Sequence, residues 1–552
     1  MNAPSPANPS GKLQQALAVQ RRRESRRLLW MGILLLVLLG TVLADIFTGP
    51  SLLPFREVID ILMHPPFPAL GFAHPDAADG LVTIVWDFRL PVALMAIVVG
   101  AALGLGAVAA LGTALSWRRL TGLDIEGRRS DALTIALNGT AQDAAADEGL
   151  IRAFQDVHPD IPVRITPIQG TDWSDFFAKI LTLVAAGTAP DVVMVATEGT
   201  QLFAERLAQP LDEYVRRDRD ELREFFADVH PSLIEAFMYQ GSLFQLPLSF
   251  NAANMFFSRQ ALETAGLDRP ADDWTWDDFR ELLRAMRSAA TGTFRPFFWT
   301  NRMWGGIVPW LYTNGTSFLK PERFAGGDWL WQEFYPDEHD RSGGHRWEQP
   351  NADDPAVLEA FEFMQELIAE DLGSSPASGG GNELVSRFST GVIGMTPSGG
   401  YWVNGLSEAG MAKDQYDVAY FPGHRTQQHQ FGASGYAIMK SSERKDAAWE
   451  WLKFVVSPRG MRIAQTKPDS SSARRSYNAE LYAPTGPEHW GVFYDTLDRF
   501  PTTAPIPAPP QEAAVETALL KNVLNAVTGS RENVRTALSN LQRDLELALA
   551  RE

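Results

Sequence analysis

Leu133-Thr-Ile-Ala-Leu137, Ile161-Pro-Val-Arg-Ile165 and Asp191-Val-Val-Met-Val195 decide the fold. Each is a short run rich in β-branched and aliphatic residues, of the length a strand needs. Between them lie two stretches of helical character, Ala144 to His158 and Trp173 to Ala186. A β-α-β-α-β order implies a parallel sheet covered by helices, because parallel neighbours need a crossover and a helix supplies it. Farther on, Thr275-x-x-Asp278 has the spacing of a capping box for a helix running towards Arg287. Asp446 to Val456 and Arg531 to Ala550 also read as helices, and the Gly/Ser/Pro-rich residues 373–381 as a loop.

Composition bounds the function. The chain has 552 residues, 45% of them apolar and 21% charged, which is globular and too long for one ordinary domain. A net charge of −18 argues against a nucleic-acid partner. The absence of cysteine excludes disulfides, thiolate catalysis, cysteine-ligated zinc and a lipid-modified cysteine anchor. The nine histidines are scattered without an HExxH, and His424 and His429 read as solvated loop residues. No phosphate loop, nucleophile elbow or dinucleotide fingerprint is present, so neither a cofactor nor a metal is expected.

The organisation falls into four parts. Residues 1–27 are a polar tail ending in Arg21, Arg22, Arg23, Arg26 and Arg27. Residues 28–117 hold two uncharged segments, Leu28 to Ala44 and Val92 to Trp117, which are expected to be transmembrane helices joined by a Pro-containing loop. Gly100 and Gly104 within the second segment permit close helix packing. Residues 118–130 form a linker, and 131–552 the soluble domain.

The soluble part, about 131–550, resembles the extracellular solute-binding proteins of sugar-importing ABC transporters. The motifs that carry this are Ala185-Ala-Gly-Thr-Ala-Pro-Asp191-Val-Val, Leu207-Ala-Gln-Pro-Leu-Asp212, and Gln245-Leu-Pro247 followed by Asn254 to Leu262. Pro270 to Asp278, Phe388 to Met395, Gly399-Gly400-Tyr401-Trp402, Gly435 to Ile438 and Ala447 to Phe454 continue the match in family order. In Asn254 to Leu262 the family's usual Tyr-Asn is replaced by Phe257-Ser258. A second resemblance covers about 28–116: Arg89-Leu-Pro91 and Val99-Gly100-Ala-Ala-Leu103 look like the start of iron-siderophore and cobalamin ABC permeases, with Val92 in place of the second Arg. Two spans of a permease cannot form a pathway, so no transport activity follows from that fragment.

The first resemblance implies an α/β, two-lobed periplasmic-binding-protein fold with a hinge and an interlobe cleft, preceded by the two hydrophobic helices. Its ligand would be a sugar or polyol and its partner the membrane subunits of an importer. Sugars are held by aromatic faces and planar polar groups, and 13 of the 16 Trp follow residue 131. Trp274, Trp276, Trp449 and Trp451 read as core. The family match places the other candidates at the cleft: Trp173 and Asp175, Glu198 at the C-terminal edge of a strand, Phe250 and Asn251, and Trp299, Asn301 and Trp304. Tyr401 and Trp402, Ser434 and Gly435, and Arg474 complete the set.

Two other functions compete: a membrane-tethered solute sensor, and a glycosidase with two carboxylates. No carboxylate pair of suitable spacing is legible, and the 27-residue tail is too short for a signalling domain. Topology sets a conflict. The first Arg run places the N-terminus in the cytoplasm, and two spans followed by Arg118, Arg119, Arg128 and Arg129 return the chain there. A receptor belongs outside. One segment does not span, or the second is cut near Ala114, or the chain fuses two gene products. The expectation is an extracytoplasmic, membrane-attached binding domain.

Overall fold

In the computed structural model, which describes residues 132–290, 292–338, 340–374 and 382–550, the three deciding strands lie side by side. They are β1 (Leu133–Asn138), β2 (Val163–Ile168) and β3 (Val192–Ala196), paired parallel with β1 in the centre. β2 begins two residues later than the sequence suggests. Pro162 has no N–H to give a ladder, but its carbonyl accepts from Leu133 N at 2.7 Å. The helix expected over 144–158 is two helices, Ala141–Ala146 and Glu148–Gln155, divided at Asp147. Helix α1 (Trp173–Ala185) matches the expectation.

The first sheet is completed by β4 (Leu246–Ala252), β9 (Gln430–Ile438), β10 (Ser471–Ser472) and β11 (Ala504–Pro505). The order is β10-β4-β9-β3-β1-β2, with β11 on the free part of β9. A second sheet, β8-β5-β7-β6, consists of β5 (Asn254–Ser258), β6 (Arg295–Phe297), β7 (Ile393–Ser398) and β8 (Tyr416–Ala419). Each sheet has its own core. In the first, Phe154, Phe226, Trp449 and Trp451 are buried; in the second, Trp276, Trp310, Phe361 and Leu519. The protein is therefore a two-lobed α/β fold.

Helices close the second lobe: α2 (Trp276–Ala289), α3 (Pro355–Ala369), α5 (Glu512–Thr528) and α6 (Arg531–Leu549). Thr275 caps α2 through a reciprocal box with Asp278, satisfying two otherwise orphaned N–H groups. Helix α4 (Lys445–Val456) packs in the first lobe, burying Trp449 and Trp451 as expected. The expected loop at 373–381 lies mostly outside the described residues.

The chain crosses between lobes where β4 passes into β5 through the single residue Ala253, whose N–H donates to Gln430 O at 2.8 Å. It crosses again between β8 and β9, and between β11 and α5. A further excursion has no counterpart in the sequence reading. After Leu319 the chain leaves the second lobe, docks on the first, and returns at Pro350, which bridges to Leu319. Within this strap Leu330 and Trp331 are buried in the first lobe's core. The Phe334 ring stacks on Phe226 at 3.9 Å, Tyr335 Oη donates to Val229 O at 3.0 Å, and Arg341 Nη1 reaches Glu235 at 3.0 Å. Gly344, at φ 109°, lies where a Cβ would sit 2.1 Å from Met238 O.

Among the described residues no helix is long and apolar enough to cross a membrane. The segments Leu28 to Ala44 and Val92 to Trp117, expected as transmembrane helices, lie outside the described residues.

Trp331 is the strap's main anchor, so Trp331→Ala is expected to cost about 3–5 kcal/mol of stability. Urea or thermal unfolding of the variant measures it.

Candidate functional site

The cleft is built by groups that reach it from both lobes. From the first lobe come the start of α1, the turn Thr197-Glu198-Gly199 after β3, and the β9 residues Gln430 and Gly432. From the second come the loop Asn301 to Trp304, Gly399 to Tyr401, and the first turns of α5.

Asp172 caps α1 by accepting from Asp175 N at 2.8 Å. Trp173 then stands half-buried, its ring stacked over Phe177 at 5.8 Å. Ser174 donates across the lobes to Glu512 at 2.9 Å and lies 3.3 Å from Glu516. Asp175 is tied to its own helix by Lys179 at 2.8 Å and by Thr171 N at 3.0 Å. These bonds, the Lys179 one first, hold its carboxyl below the usual range. The Glu198 carboxylate accepts from Thr197 Oγ1 at 3.1 Å, and burial pushes it up to about 7.

Opposite, the peptide 303–307 is kinked, with Trp304 extended (ψ 124°) and Gly305 at φ 73°. The turn aims the Trp304 indole at the first lobe, where Gly432 leaves room: a Cβ there would come within 2.9 Å of the indole nitrogen. The Trp304 and Tyr401 rings lie 5.7 Å apart. Arg302 packs over Trp304 at 5.3 Å and donates to Trp304 O at 2.9 Å and to Tyr401 Oη at 3.2 Å. Two bonds tie this wall to the first lobe: Tyr401 N to Asn251 Oδ1 at 3.2 Å, and Gly305 N to Gln430 Oε1 at 2.8 Å. Asn301 donates to Leu520 O at 3.0 Å, on the same helix as Glu512 and Glu516.

Of the residues expected at the cleft, Trp173, Glu198, Asn251, Asn301, Trp304 and Tyr401 are brought together around it. The others are held elsewhere, each for a physical reason. Trp402 is 1% exposed, packed edge-on against Phe256 and Phe388. Phe250 is 1% exposed against Tyr494, and Trp299 is buried with its indole bonded to Gly306 O at 2.6 Å. Ser434 bonds Ser249 at 2.8 Å inside the sheet, and Gly435 sits at the adjoining bulge against Leu246 O. Arg474, 3% exposed, gives its donors to Asp228 at 2.9 Å, Glu224 at 2.6 Å and Val456 O at 3.2 Å, all in the first lobe.

The sequence reading missed Ser174, Thr197, Arg302, Gln430, Glu512 and Glu516. Arg302 stands between two chosen residues. Glu512 and Glu516 are four apart after a Pro-rich stretch, which looks like a solvated helix face. No described group of three His or carboxylate residues with metal-ligand geometry lies in the cleft; Asp417, Glu488 and His489 form one on the second lobe, where Asp417 is already held by Arg259 at 2.6 Å and His489 at 2.7 Å.

The family model of the bacterial extracellular solute-binding proteins matches residues 137–462. The chain belongs to that family. It is a family of solute-binding proteins, not of enzymes. A protein of Brucella abortus (strain 2308) described as a binding protein is 23% identical over 357 residues, covering 61% of this chain and 75% of its own length. Among solved structures, an ABC substrate-binding protein of Listeria monocytogenes in complex with cycloalternan superimposes with a TM-score of 0.60 at 17% identity, over 75% of this chain and 99% of that one. The sugar-binding protein MalE of Xanthomonas citri gives 0.60 at 18%, over 76% and 97%. Maltose-bound MalE3 of T. maritima gives 0.58 at 20%, over 75% and 99%. These likenesses establish the fold.

A carboxyl raised by folding gives full stability only below its unfolded value, and loses it as pH rises to its folded value. Glu198→Gln is therefore expected to match the parent near pH 4.5 and to exceed it by roughly 1–3 kcal/mol at pH 8. Thermal unfolding at the two pH values checks the sign.

Proposed function

We propose that this solute-binding protein captures a sugar or related polyol between its lobes and presents it to the membrane subunits of an ABC importer. The observation that carries this reading is the wall formed by Trp304, Tyr401 and Arg302, facing Trp173 and Glu198. Half-exposed aromatic faces suit the C–H faces of a pyranose, while carboxylate and guanidinium groups suit its hydroxyls. Solved relatives of the same fold hold cycloalternan and maltose. The residues proposed to touch ligand are Trp173, Glu198, Asn251, Asn301, Trp304 and Tyr401, with Arg302 added. Ligand contacts to both lobes would favour the closed form by their differential affinity.

The binding domain is proposed to be extracytoplasmic, held at the membrane by the uncharged segments Leu28 to Ala44 and Val92 to Trp117. The likeness of about 28–116 to a permease start stays a resemblance of sequence alone.

Two measurements test these points. In a thermal-shift screen of the full chain against maltose, maltotriose, larger oligosaccharides and polyols, a ligand at about 100 times its Kd adds roughly 2.7 kcal/mol. Trp304→Ala or Tyr401→Ala is expected to abolish the shift; a folded protein that answers to none of these solutes overturns the reading. In cell fractionation, the full chain is expected in the membrane pellet and a chain lacking residues 28–117 in the soluble fraction.

A further inference from the structure

Where α1 of the first lobe meets α5 of the second, the groups across the interface are nearly all acidic. α5 begins with Glu512, 5% exposed, and Glu516 one turn on. Both carboxylates meet a single hydroxyl from the opposite lobe, Ser174, at 2.9 and 3.3 Å. A hydroxyl has one proton to give. It can donate to one carboxylate, and it can hold the other only by accepting from it, which requires that carboxyl to be protonated.

The surroundings supply little compensating charge. From the first lobe, Glu198 and Asp172 face the pair and add negative charge, while Asp175 and Lys179 neutralise one another on α1 at 2.8 Å. From the second lobe the facing cation is Arg302, which donates hydrogen bonds to Trp304 O and Tyr401 Oη. Closing the lobes thus brings Glu512 and Glu516 against Glu198 and Asp172 in a place poor in water.

We propose that Ser174, Glu512 and Glu516 form a proton-dependent clasp between the lobes, which favours the closed cleft in acid and releases it towards neutral pH. The carboxyl shifts agree in direction. Glu512 is raised by burial and by Glu516; Glu516 is raised by burial and by Asp172; Glu198 is pushed to about 7 by burial. Parting the lobes would return these carboxyls to water and so towards the usual carboxylate range. The sign follows: closure takes up protons, is fully favoured below about pH 4.5, and weakens as pH rises towards 7. Each proton released on opening changes the closed-to-open ratio about tenfold per pH unit within that window. The clasp acts on the empty cleft and stands apart from the identity of the ligand.

The chain has no cysteine, so a label pair is specific. The full chain carrying Ala186→Cys on the first lobe and Asn525→Cys on the second would be labelled with a donor and acceptor dye, and interlobe energy transfer followed without ligand from pH 4.5 to 8. The clasp predicts high transfer in acid that falls at least tenfold in closed-to-open ratio by pH 7. In the Glu512→Gln, Glu516→Gln double variant the ratio should vary at least threefold less than in the parent over the same range, the remainder being that of Glu198. Ser174→Ala, which leaves all the charges in place, should lower the closed fraction at pH 4.5. Far-ultraviolet circular dichroism at each pH separates opening from unfolding. Transfer that is independent of pH in the folded parent overturns the proposal, as does a double variant that keeps the parent's profile. Sugar binding with no pH-dependent closure would sink the clasp and leave the receptor reading intact.

Discussion

A strand cannot belong to two sheets at once without bending, and Ala253 is where this chain bends. β4 and β5 are one nearly continuous extended run. The residues before Ala253 complete their backbone hydrogen bonds with β9 and β10, and those after it with β7 and β8. Each lobe is thereby stapled to the other through backbone whose partners are fixed on both sides. The cleft follows: loops at the ends of β3, β7 and β9 and the start of α5 have nowhere to face except one another. Tyr401 N on Asn251 and Gly305 N on Gln430 extend the same seam into the site.

Local physics made part of this legible. β1, β3, the Thr275–Asp278 box and the apolar faces of α4 and α6 are written in neighbouring residues, and they stand where the sequence puts them. Pro162 moved the start of β2, a matter of one missing donor. The site was only half legible. Glu198, Trp304 and Tyr401 sit at loop ends where the family pattern points, but Trp402 and Phe250 sit beside cleft residues and face the core. Neighbours in a chain point to opposite sides of a strand or around a helix, and no local signal distinguishes the two directions. Glu512 and Glu516 gain their meaning from Ser174, more than three hundred residues away. Read locally they are two exposed carboxylates on a helix.

The cleft sets aromatic surface on one side, the carboxylates of Glu198, Glu512 and Glu516 on the other, and a guanidinium between them. Carboxylates are strong acceptors for hydroxyls, and a sugar presents many. What the arrangement disfavours is an anion, since a phosphate or carboxylate entering here would meet Glu198, Glu512 and Glu516 with Arg302 as its main counterpart.

The strap from Leu319 to Pro350 bears on the same cleft from outside. It adds two passages between the lobes to those at Ala253, between β8 and β9, and between β11 and α5. Each added passage removes orientations that the open molecule would otherwise explore, because a tether with Trp331 buried at one end and Trp347 at the other cannot slacken freely. The open ensemble is then narrower, and the entropy lost on closing is smaller. An ordinary length of connecting chain becomes a limit on how far the two lobes can part.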